Sequence, residues 1–161
     1  MKYLVFIGLL AGCAAEPALI SAPIPYRNPT QPVASKALFD FDRAQGDWHV
    51  MAEFPDGVCV ATQVQISATL FTRHCADGTL IGGGITQIGP GRLRIGAQGS
   101  EQYWVLWTDD SYRTMVLADP NGRLGWILNR DSQISADRMQ AAREILDFNG
   151  YDVSRLVEVS Q

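Results

Sequence analysis

Eight short β-rich runs follow one another between residues 46 and 130, and no segment between them carries helical periodicity. They occupy 47–53, 60–67, 69–75, 79–88, 92–97, 102–108, 112–118 and 123–130. The connections are Pro55-Asp56-Gly57, Ala76-Asp77-Gly78, Gly89-Pro90-Gly91, Gly99-Ser100, Asp109-Asp110-Ser111 and Asp119-Pro120-Asn121-Gly122. These are hairpin-length turns with Gly or Asp where unusual φ is needed. Eight strands at this spacing predict an all-β antiparallel sandwich or barrel.

A single helix follows the strands. Ser135 is placed as N-cap, and Asp137 suits the positive helix start. Met139, Ala142, Ile145, Leu146 and Asn149 share one stripe, and Gly150 ends the helix. That stripe has to be buried, most simply against the outside of the sheet. Residues 151–159 alternate loosely and predict a last extended piece.

With 161 residues the chain has material for one domain, and 47% apolar against 19% charged residues allows a packed core. The net charge of −4 and the lack of a Lys/Arg run argue against nucleic-acid binding. His49 and His74 lie in strand patterns with no nucleophile or carboxylate at motif spacing. Adjacent Asp109-Asp110 reads as turn caps. Gly82-Gly83-Gly84 lacks the Lys-Ser/Thr of a phosphate loop and instead fits a bent barrel strand. No enzyme activity, cofactor or metal is expected.

Met1-Lys2 precedes an apolar run over 3–11 that meets Leu10-Ala11-Gly12-Cys13. This reads as a secretory signal too short to span a bilayer. The small residues before Cys13 resemble the lipobox of bacterial lipoproteins. The resemblance implies cleavage before Cys13, which then carries the acyl chains, and, with Ala14 following, a periplasmic-side anchor in the outer membrane; an ordinary cleaved signal with an incidental Cys is the other reading. Residues 1–12 are then signal peptide, 13–36 a tether and 37–161 the barrel domain. The tether holds Pro17, Pro23, Pro25, Pro29 and Pro32, which favour extended backbone. A segment wrapped on the domain, with Ile24 and Tyr26 docking, is the other reading.

Two cysteines remain, Cys59 and Cys75. In an exported chain an even number favours one disulfide. Closing a loop of roughly 15 residues stabilises by about 3 kcal/mol in the chain-entropy model. Metal binding with His74, or two free thiols, are the alternatives.

Three motifs in order resemble the lipocalins, in particular bacterial outer-membrane lipoprotein lipocalins: Gly46-Asp47-Trp48 on the first strand, Thr108-Asp109 with Tyr112 at the sixth turn, and Trp126-Ile127-Leu128-Asn129-Arg130 closing the eighth strand. The likeness runs through 103–159, including Gly150-Tyr151-Asp152-Val153-Ser154. It implies an eight-stranded up-and-down β-barrel with one C-terminal α-helix packed outside. The middle is shorter than in that family, with a reduced 54–58 loop.

Independently of the family, Trp48 is a flat apolar plug suited to closing a barrel end. Arg130 is placed to lay its guanidinium on that ring and cap carbonyls, with Gly46 making room. Alternation puts Val50 and Ala52 inward with Trp48, and Leu124, Trp126 and Leu128 inward with Arg130. The resemblance places Arg113, Met115 and Leu117 inward, and Tyr103, Val105 and Trp107 are chosen on the sixth strand. The predicted cavity is apolar and aromatic with Arg113 as its charged group. That suits a small hydrophobic or amphipathic ligand such as a fatty acid or lysophospholipid, held without a chemical step. The alternatives are a barrel filled by Trp107, Met115 and Trp126, serving as a structural or interaction module, and, further off, a lipocalin-like enzyme. No protein partner is identifiable.

Overall fold

The computed structural model describes residues 24–96 and 99–160. A four-residue helix, α1 (Phe41–Ala44), precedes strands β1 (Gly46–Phe54), β2 (Ala61–Ile66), β3 (Leu70–Cys75), β4 (Leu80–Gly89), β5 (Arg92–Ile95), β6 (Glu101–Thr108), β7 (Thr114–Ala118) and β8 (Gly125–Asn129). Helix α2 (Ala136–Phe148) and the short β9 (Val157–Glu158) complete the chain.

Each strand pairs antiparallel with the next, and β1 closes the ring. His49 faces Gln63 of β2 on one edge and Asn129 of β8 on the other. Closure leaves no long open edge, the liability of a free sheet. Where β2 diverges from β1, β9 takes its place: Ala52 pairs with Glu158 and Glu53 with Val157. The product is an eight-stranded antiparallel up-and-down barrel with one added strand and a C-terminal helix. Because the strands alternate in direction, the β2–β3, β4–β5 and β6–β7 turns share the Trp48 end. The β1–β2, β3–β4 and β7–β8 turns lie at the mouth.

Burial divides into two layers. Inside the barrel, Trp48, Val50, Val64, Phe71, Leu93, Tyr103, Val105, Met115, Trp126 and Leu128 belong to one cluster. Outside it, Met51, Phe54, Val116 and Ile127 pack against Ala142 and Leu146 of α2, with Met139 and Ile145 at the margin. The apolar stripe of α2 is thus placed as its spacing predicts. Ser135 is at the N-cap, but its side chain makes no capping bond. Its hydroxyl instead accepts from Arg138 Nε at 3.1 Å.

The Pro-rich segment is not a free tether from residue 24 onward. Tyr26 stacks on Phe54 at 4.9 Å and donates its hydroxyl to Pro55 O at 2.8 Å. Arg27 is buried and donates to Asn149 O at 2.9 Å and Pro120 O at 3.3 Å. Further along, Lys36 N–H reaches Val105 O at 2.7 Å. These residues form a strap along the barrel wall. Ile24, expected as a possible docking residue, is 76% exposed. Cys13 and the signal-like segment lie outside the described residues.

Candidate binding site

The barrel floor is built by residues distant in sequence. Trp48 is fully buried and donates its indole N–H to Ala44 O at 2.8 Å. Arg130 lies over that ring with its guanidinium carbon 3.7 Å from the centroid. Its nitrogens donate to Asp47 O at 3.0 Å and to Arg43 O and Gln45 O at 2.8 Å each. A planar five-donor fork suits three carbonyls and a π-face at once. Gly46 has φ +106, and a Cβ there would sit 2.9 Å from Arg130 Nη1, so the first motif residue clears space for the last.

Tyr112, with φ 56, turns the chain before β7 and accepts the Asp40 N–H at 2.7 Å. Asp109 caps that turn by accepting from Arg113 N–H at 2.7 Å and Thr114 N–H at 2.6 Å. Thr108 is buried beside it. The motif residues therefore act on the closed end.

Of the residues placed in the cavity, Val50, Tyr103, Val105, Met115 and Trp126 lie in the interior layer. Three do not. The register of β1 shifts between Val50 and Ala52, and that of β6 between Val105 and Trp107. One extra residue reverses the alternation of everything beyond it. Ala52 and Trp107 consequently face the outer layer. Arg113 falls in the turn before β7 rather than on it, and its exposed side chain pairs with Asp131 at 2.6 Å.

A cation does lie inside, Arg73 on β3, whose inward positions are Phe71, Arg73 and Cys75. It is 8% exposed and pairs with Asp56 Oδ2 at 2.6 Å. Its guanidinium carbon stands 5.5 Å from the centroid of Trp126. Below it three rings meet: Tyr103–Trp126 at 5.5 Å, Phe71–Trp126 at 6.0 Å and Phe71–Tyr103 at 6.2 Å. The Tyr103 hydroxyl donates to Glu101, and burial first, then that bond, raises its pKa, so it stays protonated.

The β1 bulge also turns Glu53 inward. It is 3% exposed and accepts the Ala61 N–H at 3.2 Å, with a further bond from the Trp126 side chain. Burial raises its pKa despite those bonds and the attraction of Arg73. Burial pushes Asp56 upward too, but the Arg73 hydrogen bond and the N–H groups of Val58 and Cys59 outweigh it and hold it below the ordinary aspartate value. Arg73 and Glu53 escaped the sequence reading. Alternation on the third run contained the first; nothing short of the bulge reveals the second.

A raised folded pKa means the native state holds its proton more tightly than the unfolded chain. Glu53 therefore contributes stability that is present at acid pH and lost as pH rises from the ordinary glutamate value through its folded one. The Glu53→Gln variant is expected to flatten that limb: urea midpoints of parent and variant should diverge as pH climbs from about 4.3 toward neutrality. Parallel curves would show that Glu53 does not titrate in this window.

At the mouth, Cys59 and Cys75 are joined by a disulfide with a Cα–Cα distance of 5.4 Å, tying the β1–β2 loop to the end of β3. No cluster able to hold a metal ion occurs among the described residues. A pocket of about 280 Å³ opens beside the disulfide, lined by Pro55, Val58, Val60 and Ala76 among others.

Comparison with known proteins agrees with this architecture. Residues 92–161 match the family model of the lipocalin-like domain. Over 59 residues the chain is 32% identical to temperature-induced lipocalin-1 of Arabidopsis thaliana, covering 37% of this chain and 32% of that protein. The match thus spans about a third of the curated relative's length. Among solved structures, the cockroach major allergen Per a 4 superposes with a TM-score of 0.61 at 15% identity, over 83% of this chain and 96% of the allergen. Lobster apocrustacyanin A1 gives 0.55 at 16% identity, over 81% and 90%. From β5 onward the sequence is similar to the lipocalin-like domain, and the barrel as a whole has the fold of these solved structures.

Proposed function

We propose that the protein is a lipid-anchored lipocalin of the bacterial outer-membrane lipoprotein type that stores or carries a small amphiphile. The fold supports binding of a hydrophobic ligand in the barrel, and Leu10-Ala11-Gly12-Cys13 supports export and acylation at Cys13. The observation that carries the reading is Arg73, a cation held inside an apolar barrel directly above Phe71, Tyr103 and Trp126. An anionic head, such as that of a fatty acid or lysophospholipid, would take the place of Asp56 on the guanidinium. Asp56 would yield the guanidinium at Oδ2 while its Oδ1 keeps the N–H groups of Val58 and Cys59. The acyl tail would pass between the three rings, contributing about 25 cal/mol per Å² of apolar area buried. Binding and release involve no chemical step.

One observation favours a second reading. The three rings touch one another, as they would in a permanently filled barrel acting as a structural module. Mass spectrometry of an organic extract from chain purified out of its native membrane separates the two. A single-chain anionic lipid near one equivalent is expected. Extracts devoid of lipid, with no uptake from added oleate, would favour the filled module.

A further inference from the structure

We infer that the mouth of the barrel rests on a lipid bilayer through the apolar tips beside the Cys59–Cys75 disulfide. The inference rests on the proposed anchoring at Cys13 for the tether, and on the described residues for the surface. Val58 is 73% exposed, Val60 54% and Leu80 62%. Single exposed apolar residues are ordinary, but contiguous ones call for an explanation. Val58 and Val60 are contiguous, and Leu80 stands on β4, next to β3. Val58, Val60 and Ala76 line one notch of about 280 Å³ together with the two cysteines. Ala76 N–H donates to Val60 O at 2.9 Å, and Leu80 pairs with His74, next to Cys75.

The tips are held in place before any contact. The disulfide fixes Cys59 to the end of β3, and Asp56 accepts from Val58 N–H at 2.8 Å and Cys59 N–H at 3.0 Å while pairing with Arg73. A surface already ordered loses little entropy on docking.

The strap decides what covers it. Tyr26 is bound to Pro55 O and Gly122 O, in the β1–β2 and β7–β8 turns, so the chain leaves the domain at the mouth. Ile24 stands there 76% exposed. From Cys13 to Ile24 there are eleven residue steps, at most about 40 Å of chain. Directing the closed end to the membrane would use most of that length, because the nine residues of β1 alone extend about 30 Å. With the mouth down, the tether is slack and the apolar tips meet lipid.

Charge favours a neutral lipid surface. Asp56 is matched by Arg73 and Asp119 by Arg123 at 2.5 Å, while the notch itself holds the exposed carboxylate of Asp77 and no lysine or arginine, so it suits a zwitterionic surface and is repelled by an anionic one. Docking should therefore be insensitive to salt. A lipid molecule entering the barrel would pass from bilayer to interior without crossing water.

The test uses the full acylated chain in phosphatidylcholine vesicles with and without brominated acyl chains. Val58→Trp places an indole on the mouth; Leu70→Trp places one at the closed end, where Leu70 is also exposed, at 56%. The emission added by Val58→Trp should be quenched several-fold by brominated lipid and that added by Leu70→Trp hardly at all. Amide exchange in the unsubstituted chain should slow at 57–60 on vesicles and stay unchanged at 67–70. Equal quenching at both sites, stronger quenching at Leu70→Trp, or no slowing at 57–60 would overturn the inference. An intact mass without acyl chains would overturn the anchoring alone, since the quenching contrast is still read on vesicles. Slowing at 57–60 that needs a co-purified protein and no lipid would assign the rim to a protein partner and overturn the proposal.

Discussion

The Trp48→Ala variant should lose about 3–5 kcal/mol of stability, the range for removing a fully buried large aromatic residue. The loss has two sources. The indole fills the barrel floor at 0% exposure, so its removal leaves a void that strands locked in a closed ring are poorly able to collapse. The Arg130 guanidinium also loses the π-face 3.7 Å beneath it, although its three carbonyl partners remain. Urea unfolding at neutral pH measures the effect as a lower midpoint with little change in slope. A loss below about 1 kcal/mol would mean that the floor is not the keystone of closure.

Removing the interior cation is expected to cost about 3 kcal/mol, the low end for breaking a buried pair, because Arg73 and Asp56 retain 10% and 15% side-chain exposure. Arg73→Ala leaves Asp56 with backbone donors only and deprives Glu53 of the attraction of the guanidinium. The pH dependence gives the signature. Asp56 has a depressed folded pKa, so its contribution is present above the ordinary aspartate value and lost as pH falls through the folded one. The gap between parent and Arg73→Ala should therefore be widest near neutrality and narrow below about pH 3.9. A gap that stays constant down to pH 3 would show that Arg73 acts by packing alone.

The sequence made the barrel legible through its turns. Gly57, Gly78, Gly91 and Gly122 all take positive φ between paired strands, so the punctuation was physical. The pairing of Trp48 with Arg130 was readable because plug and fork are residue types with one geometry in common. The disulfide was legible from the even number of cysteines left beside Cys13 in a chain expected to be exported. Face assignment failed where alternation itself breaks. A single bulge residue costs the sequence no visible signal, yet it sent Ala52 and Trp107 outward and Glu53 inward. Arg113 was misplaced because the left-handed turn at Tyr112 postpones β7 to Thr114. Proline content predicts extended backbone, which a loose tether and a docked strap would share, and the strap turns at Pro29 and Thr30. Only the partners of Tyr26 and Arg27, more than twenty residues away in sequence, distinguish tether from strap.

Titration with a brominated fatty acid reports on a ligand seated inside the barrel. Trp126 lies 5.5 Å from both the Arg73 guanidinium and the Tyr103 ring, so a carboxylate on Arg73 brings its chain past that indole. Saturable quenching at one equivalent is predicted, reduced by at least half in Trp126→Phe and weakened about tenfold in affinity by Arg73→Met, the loss of about 1.4 kcal/mol. Quenching that is absent, or that survives unchanged in both variants, would contradict a ligand seated inside this barrel.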